Sequence, residues 1–254
     1  MAGKLIAFSG KGGSGKTTLA AMVIRELLRT GKRPVLAVDA DPNATLALTL
    51  GAACPGTIAD LRDEMLQAAK KPSEIPKDRL IDQWLAELLS EHEGFDVLTM
   101  GRPEGQHCYC YVNGLLRRYL KLLRHNYAYV VVDCEAGMEY LSRLTVDDAN
   151  TLALVAEPTA IGLKTAERIV DLSTKLPIQV GRRLLAVNKV QAPSEKFELG
   201  TLSARLPLIK KVVQVPFDTD LARRALCEEP IDDRAGAAAR EAVAELATEC
   251  SNSH

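Results

Sequence analysis

The stretch from Ser9 to Thr18, SGKGGSGKTT, has the residue types and spacing of a site that binds a polyphosphate. Its glycines let the backbone wrap closely around an anion, so that successive N–H groups and the N-terminus of a following helix attract the phosphates. The stretch fits the phosphate-loop pattern G-x-x-x-x-G-K-T. In that pattern Lys16 reaches the β- and γ-phosphates, and Thr17 holds Mg²⁺ through its hydroxyl. We therefore expect ATP or ADP with Mg²⁺ to bind at Gly12, Gly13, Ser14, Gly15, Lys16, Thr17 and Thr18.

The same letters admit a second interpretation. They also contain G-x-G-x-x-G, the fingerprint of a dinucleotide site, and Asp39 supplies the acidic residue that such a site has further along the chain. A dinucleotide site does not need Lys16 and Thr17, whereas a phosphate loop needs both, which favours the phosphate loop. A glycine-rich turn without a ligand is the remaining alternative.

Short apolar runs alternate with helical patterns along the chain. The run at 130–132 is apolar on both faces, as strands buried in a parallel sheet are. Strands separated by helices predict a doubly wound, mainly parallel α/β sheet flanked by helices, with ligands at the carboxyl ends of the strands. The predicted strands are 4–8, 34–39, 95–99, 128–133, 151–156, 183–187 and 211–215, and the predicted helices are 16–30, 112–124, 161–175 and 233–249.

The chain length of 254 residues is compatible with one large domain. We expect residues 1–254 to form a single P-loop NTPase domain. The polar segment 57–93, which contains two prolines, looks helical at 57–70 and 78–91. We interpret this segment as a helical excursion on the sheet.

The composition is that of an ordinary soluble globular protein, with 47 % hydrophobic residues, 26 % charged residues and a formal net charge of −1. The near-neutral charge gives no general electrostatic reason to bind nucleic acid. No apolar run approaches the roughly 20 residues that cross a bilayer, and the N-terminus leads into a strand without a signal-peptide pattern. The six scattered cysteines do not form a disulfide framework. We expect a cytoplasmic protein with no nucleic-acid and no membrane partner.

Two further candidates for the nucleotide site follow the apolar run 128–132. Asp133 ends that run, where a second acidic residue near Mg²⁺ belongs in a phosphate-loop protein. The alternative is an aspartate that caps a turn or a helix. Gly137 follows four residues later, and its backbone N–H could contact a γ-phosphate, which would make 133–145 a switch segment.

The pair Cys108 and Cys110 has the spacing of two metal ligands in an extended segment, where residues i and i+2 share one face. Two thiolates on one tetrahedral metal lie about 3.8 Å apart, which Cys-x-Cys can provide. A twofold-symmetric homodimer would supply four sulfurs to one shared metal. Burial of the two cysteines in a core and a redox couple are the alternatives that the spacing leaves open.

The form KGGSGKT resembles the deviant phosphate loop of the MinD, nitrogenase-iron-protein and ArsA class of dimeric ATPases. The resemblance implies that Lys11 reaches across a twofold axis to the partner's nucleotide and stabilises charge during phosphoryl transfer. It also implies that Asp41 orients the attacking water, although an Asp-Pro turn is the alternative at that position. The class further implies that the adenine base contacts Asn188, Pro216 and Phe217.

The segments GRPEGQHCYCYVNGLLRRYL and VVVDCEAGMEYLSRLT resemble the family of nickel-insertion ATPases that serve carbon monoxide dehydrogenase and acetyl-CoA synthase, CooC and AcsF. The resemblance implies that Cys108 and Cys110 bind nickel, or zinc, at a homodimer interface controlled by ATP. The chain departs from that family at Cys134 and Tyr140, where asparagine and histidine are usual. The resemblance therefore predicts an ATP-hydrolysing nickel chaperone with carbon monoxide dehydrogenase or acetyl-CoA synthase as its client.

Two other functions use the same nucleotide site. A partition or cell-division ATPase would position cargo on DNA or membrane, and an iron–sulfur ATP-dependent reductase would hold a cluster across a dimer axis. The first has no role for the cysteine pair, and the second takes its two cysteines from distant segments. In the nickel hypothesis, the helix predicted at 112–124 connects the cysteines to the switch after Asp133 and couples metal affinity to the bound nucleotide.

Overall fold

A computed structural model describes residues 2–61, 86–102, 108–136, 148–176, 178–191 and 205–252. The side chains of residues 108–111 and 113 lie outside that description, although their backbone belongs to a helix. Gly137, Tyr140 and most of the segment 57–93 are likewise outside the described residues.

An eight-stranded sheet forms the centre of the described structure, with the order β3-β4-β2-β5-β1-β6-β7-β8. The edge strand β3 runs antiparallel to β4, and every other pair of neighbours is parallel. This arrangement confirms the predicted mainly parallel α/β class. The strands are β1 (Lys4–Gly10), β2 (Val35–Ala40), β3 (Ser90–His92), β4 (Phe95–Thr99), β5 (Tyr129–Cys134), β6 (Asp148–Ala156), β7 (Gln179–Val190) and β8 (Lys211–Pro216).

Helices cover both faces of the sheet, as a parallel sheet requires. One apolar core includes residues of α3 and α4, and a second core, on the opposite face, includes residues of α1, α2 and α6. Along β5 the side chains alternate between the cores, with Val130 and Val132 in the first and Val131 in the second. The principal helices of the described residues are α1 (Lys16–Arg29), α2 (Leu46–Leu50), α3 (Cys108–Leu123), α4 (Ala160–Lys175), α5 (Thr219–Cys227) and α6 (Arg240–Ser251).

The register of the central strands brings polar residues to one edge of the sheet. Phe8 of β1 and Asp39 of β2 both align with Asp133 of β5. Because these strands are parallel, the loop that follows β1 begins beside the two aspartates. The fold therefore gathers the candidate nucleotide residues at the carboxyl edge, as the alternation of strands and helices predicts.

Three predicted element boundaries need correction. Helix α3 begins at Cys108, four residues before the predicted start, so the cysteine pair lies in a helical turn and not in an extended segment. Within the excursion predicted at 57–93, residues 90–92 form strand β3, while 62–85 are outside the described residues. Hydrogen bonding of Ser90–His92 to the neighbouring β4 outweighs the helical pattern there.

The C-terminal helix begins at Arg240, although its pattern predicts a start at 233. The side chain of Asp232 accepts hydrogen bonds from the backbone N–H groups of Arg234 and Ala235 at 2.9 Å each. Such a local side-chain bond competes with helix formation. Gly236, with φ of 68°, adds a left-handed residue that a helix cannot contain.

None of the described helices combines the length and the apolar character that crossing a lipid bilayer demands.

Leu36 on β2 tests the packing of the central sheet, because its side chain is fully buried in the core beneath α3 and α4. We expect Leu36→Ala to lower the free energy of unfolding by about 2–5 kcal/mol, through lost burial and the cavity left behind. Urea unfolding of the nucleotide-free protein measures this change. Leu226, which is 85 % exposed, provides the control, since Leu226→Ala should stay within about 0.5 kcal/mol of the parent. Equal effects of the two substitutions would contradict the described packing.

Candidate nucleotide-binding site

The loop between β1 and α1 has a backbone that depends on glycine. Gly13 and Gly15 adopt φ of 77° and 92°, in the left-handed region that glycine enters at little cost. At Gly10 a Cβ atom would lie 2.2 Å from the carbonyl oxygen of Val155 on the neighbouring β6. The glycines thus allow the tight path that the motif predicts.

Side chains hold three carbonyl oxygens of this loop. The ammonium of Lys16 lies 3.4 Å from the carbonyl oxygen of Lys11. The amide of Asn188 donates to the carbonyl of Ser14 at 2.8 Å, and the ammonium of Lys189 donates to the carbonyl of Gly13 at 2.7 Å. With its carbonyls bonded in this way, the loop can present N–H groups to an anion.

Thr17 and Asp133 form the part of the site that fits Mg²⁺. The hydroxyl of Thr17 donates to Asp133 Oδ2 at 2.5 Å, and the other carboxylate oxygen, Oδ1, is buried without a hydrogen-bond partner among the described residues. A hydroxyl and an incompletely bonded carboxylate are the hard oxygen ligands that Mg²⁺ prefers. The donor set therefore fits the ion. When bound, Mg²⁺ would neutralise charge on the β- and γ-phosphates.

Burial dominates the acid–base behaviour of the two strand-end carboxyls. It raises the pKa of Asp133 to about 7, against the lowering effects of the Thr17 hydrogen bond and the Lys16 charge. The pKa of Asp39 also rises to about 7 through burial, although Asp39 accepts backbone hydrogen bonds from Leu46 at 2.6 Å and Asp41 at 3.1 Å. Without a cation, the folded protein thus keeps protons on these groups up to near-neutral pH.

Asp41 lies in the turn after β2, close enough for its charge to help raise the pKa of Asp133. Its Oδ1 accepts hydrogen bonds from the backbone N–H and the side-chain amide of Asn43, each at 2.9 Å. These contacts are those of the Asp-Pro turn that the sequence left open as an alternative. The water-orienting role of Asp41 stays a prediction.

The residues predicted to contact adenine lie at the ends of β7 and β8. Asn188 is nearly buried, and its amide bonds the phosphate loop. The backbone N–H of Phe217, just beyond Pro216, donates to the carbonyl of Val190 at 2.9 Å, so the ends of the two strands meet beside the loop. The Phe217 side chain is partly exposed. Contact of these three residues with a base stays a prediction.

The structure describes some of the remaining predicted site residues completely, some by their backbone alone and some not at all. Lys11 is exposed at the tip of the loop. A Cβ on Gly12 would lie 3.6 Å from Cβ of Ala136, so the switch segment begins against the loop, while Gly137 itself is outside the described residues. For the cysteine pair, only the backbone is described.

Lys189 and Glu157 contribute to the site without a role foreseen from the sequence. The ammonium of Lys189 bonds the Glu157 carboxylate at 2.8 Å as well as the loop. Each residue lies at the carboxyl end of its strand, and that position is the signal that could have found them. The left-handed backbone of Lys189, with φ of 65°, leaves no sequence signal of the kind that glycine or asparagine would leave.

A strand, a glycine loop that ends in Lys16 and Thr17, and a buried acidic residue on the neighbouring strand define the P-loop nucleotide-binding class. The family model described as the CobQ/CobB/MinD/ParA nucleotide-binding domain matches residues 5–231. The chain belongs to this family of P-loop ATPases.

Among its relatives is an uncharacterized ATP-binding protein of Methanocaldococcus jannaschii, 36 % identical over 83 % of this chain and 87 % of the relative. The carbon monoxide dehydrogenase accessory protein CooC of Rhodospirillum rubrum is 30 % identical over 84 % of each chain. In fold, the chain is similar to the cell-division ATPase MinD of Pyrococcus furiosus, with a TM-score of 0.71, 22 % identity, and coverage of 97 % of this chain and 98 % of the other.

Gly15 provides a test of the loop. A Cβ there would lie 2.3 Å from the amide nitrogen of Asn188, so we expect Gly15→Ala to reduce ADP affinity about tenfold, because the amide must move away and give up its bond to the Ser14 carbonyl of the loop. Gly31→Ala is a matched control, since Gly31 is also left-handed, with φ of 74°, but has open space around the added Cβ. Both substitutions strain the backbone, and only the first should alter binding, as measured by calorimetric titration. Similar affinities in the two variants would contradict the assigned site.

The buried carboxyls predict a pH dependence of stability. The folded-state pKa of Asp39, about 7, exceeds its ordinary value, so between those pH values the folded protein holds a proton that the unfolded chain has lost. The free energy of unfolding of the metal-free and nucleotide-free protein should therefore fall as pH rises from about 4 to about 7.

Asp39→Asn cannot ionise and should reduce this decline in stability, whereas the exposed Asp233→Asn serves as the control for loss of a carboxylate. Chemical denaturation at a series of pH values measures both slopes. An Asp39→Asn variant with the full decline of the parent would contradict the assignment.

Proposed function

We propose that this chain is an ATP-hydrolysing nickel chaperone that inserts nickel into carbon monoxide dehydrogenase or acetyl-CoA synthase. The observation that carries the proposal is the 30 % identity to the accessory protein CooC, which extends over 84 % of both chains. The proposed metal ligands are Cys108 and Cys110, with zinc as an alternative ion.

The structure supports a physical connection between the cysteines and the nucleotide. Cys108 and Cys110 lie in the first turn of α3, and the chain continues through a short 3-10 turn into β5, which carries Asp133. Buried residues anchor α3 along its length to the sheet, namely Val112, Leu115, Leu116, Tyr119 and Leu120. Because these residues share one core with β2 and β5, a change at the nucleotide that displaces β5 would also displace α3 and its cysteines.

The helical position of the pair bears on how a metal would be held. In a helix, positions i and i+2 are not neighbours on one face, so the argument from an extended segment does not apply. A symmetric dimer reduces the ligands that each subunit must supply to two, and both cysteines of a subunit reach one metal only if the first turn of α3 opens when the metal binds. We therefore place the metal between two subunits.

Lys11, Lys16 and Asp41 are the proposed catalytic residues. Lys11 is exposed on the single chain, as a residue that reaches the nucleotide of a second subunit must be. Lys16 is nearly buried beneath the loop, in position to meet the phosphates. Asp41 lies beside the buried carboxyls, where it would orient the attacking water.

A partition or cell-division ATPase is the second candidate. Its support is the fold, because a ParA-family ATPase of Chlorobium tepidum matches with a TM-score of 0.71. The identity of 18 % supports similarity of fold alone.

An iron–sulfur reductase is the third candidate. A brown purified protein with a visible absorption band would identify it.

Nickel titration tests the proposal. With ATP present, we expect about half a nickel ion per chain in a dimer, since two symmetric subunits share one site, and loss of that nickel in Cys108→Ala/Cys110→Ala. Cys54→Ala/Cys227→Ala is the matched control, because it removes two exposed free cysteines elsewhere in the chain. Equilibrium dialysis gives the stoichiometry, and light scattering of the same samples gives the subunit number.

Several outcomes of this experiment would reject parts of the proposal. One tight nickel per monomeric chain would exclude the shared site. Equal nickel affinity with ATP and ADP would remove the coupling. If the protein binds no stoichiometric metal but binds DNA or liposomes when ATP is present, the partition ATPase becomes the favoured function and the nickel chaperone is rejected.

A further inference from the structure

Lys189 has an unusual backbone for its residue type. It follows Asn188 near the end of β7, at a point where the pairing with β8 shifts register, and its φ is 65°. A side chain with a Cβ is strained in the left-handed region, so such a conformation persists where the surrounding structure requires it. This backbone conformation places the Lys189 side chain where it forms the two contacts described next.

The ammonium of Lys189 connects two elements that the chain keeps far apart. It donates to the carbonyl oxygen of Gly13 in the phosphate loop at 2.7 Å and to the carboxylate of Glu157, just after β6, at 2.8 Å. We refer to these three groups as the Lys189 clamp. The carboxylate fixes the ammonium, and the ammonium in turn holds a carbonyl of the loop.

The peptide bond between Gly13 and Ser14 is the group on which the clamp acts. Its carbonyl, that of Gly13, accepts from Lys189. Its N–H, that of Ser14, points the opposite way in a trans peptide and donates to the carbonyl oxygen of Lys11 at 3.2 Å. Gly13 adopts φ of 77° and has open space at its Cβ position. Because glycine tolerates many backbone angles, this peptide has little intrinsic resistance to rotation.

Rotation of that peptide would break the bond from the Ser14 N–H to the Lys11 carbonyl and would put the Gly13 carbonyl oxygen in the place of that N–H. An N–H group attracts an anion, whereas a carbonyl oxygen in its place repels it. A charged donor held by a carboxylate opposes such a rotation more strongly than a neutral donor would.

We propose that Lys189 is a positioning residue of the ATPase site, which with Glu157 keeps the Gly13 carbonyl bonded and the loop ready to receive phosphates. Its contribution would be preorganisation, because Lys189 and Glu157 hold the loop carbonyl through contacts within the protein. The inference concerns nucleotide binding and holds whichever cargo the chain carries.

The test compares ADP with inorganic pyrophosphate, which lacks the base and the sugar. If Lys189 positions the phosphate loop, Lys189→Met should weaken both ligands by a similar factor of about tenfold, the scale of one lost charge-assisted hydrogen bond. Lys189→Arg should restore part of the affinity, because it keeps a charged donor. Glu157→Gln should weaken both ligands by a smaller factor, because it leaves the ammonium in place.

Lys211→Met is the matched control. Lys211 forms an ion pair with Glu245 at 2.6 Å, and its side chain is 41 % exposed, against 40 % for Lys189. We expect this variant to bind both ligands as the parent does. Thermal melting without nucleotide reports folding, and if Lys189→Met fails to fold, Glu157→Gln and Lys189→Arg carry the comparison.

Two results would overturn the proposal. Affinities within twofold of the parent for folded Lys189→Met and for Glu157→Gln would show that the loop does not need the clamp. A loss confined to ADP, with pyrophosphate unaffected, would show that Lys189 contacts the base or sugar and does not act through the loop.

Discussion

A loop that offers its N–H groups to an anion must have its carbonyl oxygens bonded elsewhere, and much of the described site follows from this constraint. Here the carbonyls of Lys11, Gly13 and Ser14 are each bonded by a side chain. Two of the donors come from the end of β7, which is two strands away from β1 in the sheet. The phosphate loop is therefore a property of the assembled sheet and not of its own residues alone.

The acidic half of the site is subject to the opposite constraint. Asp39 and Asp133 lie side by side on β2 and β5 and are both buried, which disfavours two negative charges. A divalent cation and the ammonium of Lys16 are the partners that make ionised carboxylates tolerable there. The loop offers positive potential to phosphates and the strand ends offer oxygen ligands to a metal, so a metal–nucleotide complex satisfies both halves at once.

Much of the fold could be predicted from the sequence, because buried parallel strands are apolar on both faces and the helices between them have a clear period. The run at 130–132 is an example, since its alternate residues enter opposite cores. Strand β3 could not be foreseen, because Ser90–His92 has no β-type pattern and forms only by pairing with β4. The start of α6 was missed because turn bonds of Asp232 take the place of helical ones.

The phosphate loop could be predicted from the sequence because its chemistry permits few residue types, whereas the magnesium role of Asp133 stays a prediction that its contact with Thr17 supports. The contact of Lys189 with the loop could not be predicted from the sequence. It depends on a left-handed backbone at a register shift, and a lysine gives no indication of either. The cysteine pair shows another reason why the sequence alone does not define a site. Its spacing predicts metal binding in an extended segment, yet the backbone there is helical, so spacing without secondary structure was an insufficient guide.

The strand order has a consequence for how the protein is made. Strand β1 is synthesised first, yet its two neighbours in the sheet are β5 and β6, and the side chains that brace its loop come from β7. On the ribosome, β1 has no partner strand until β5 has been made, and the glycine loop has no bracing side chains until Asn188 and Lys189 have been made. Nucleotide therefore has no finished site to stabilise until synthesis has passed the end of β7.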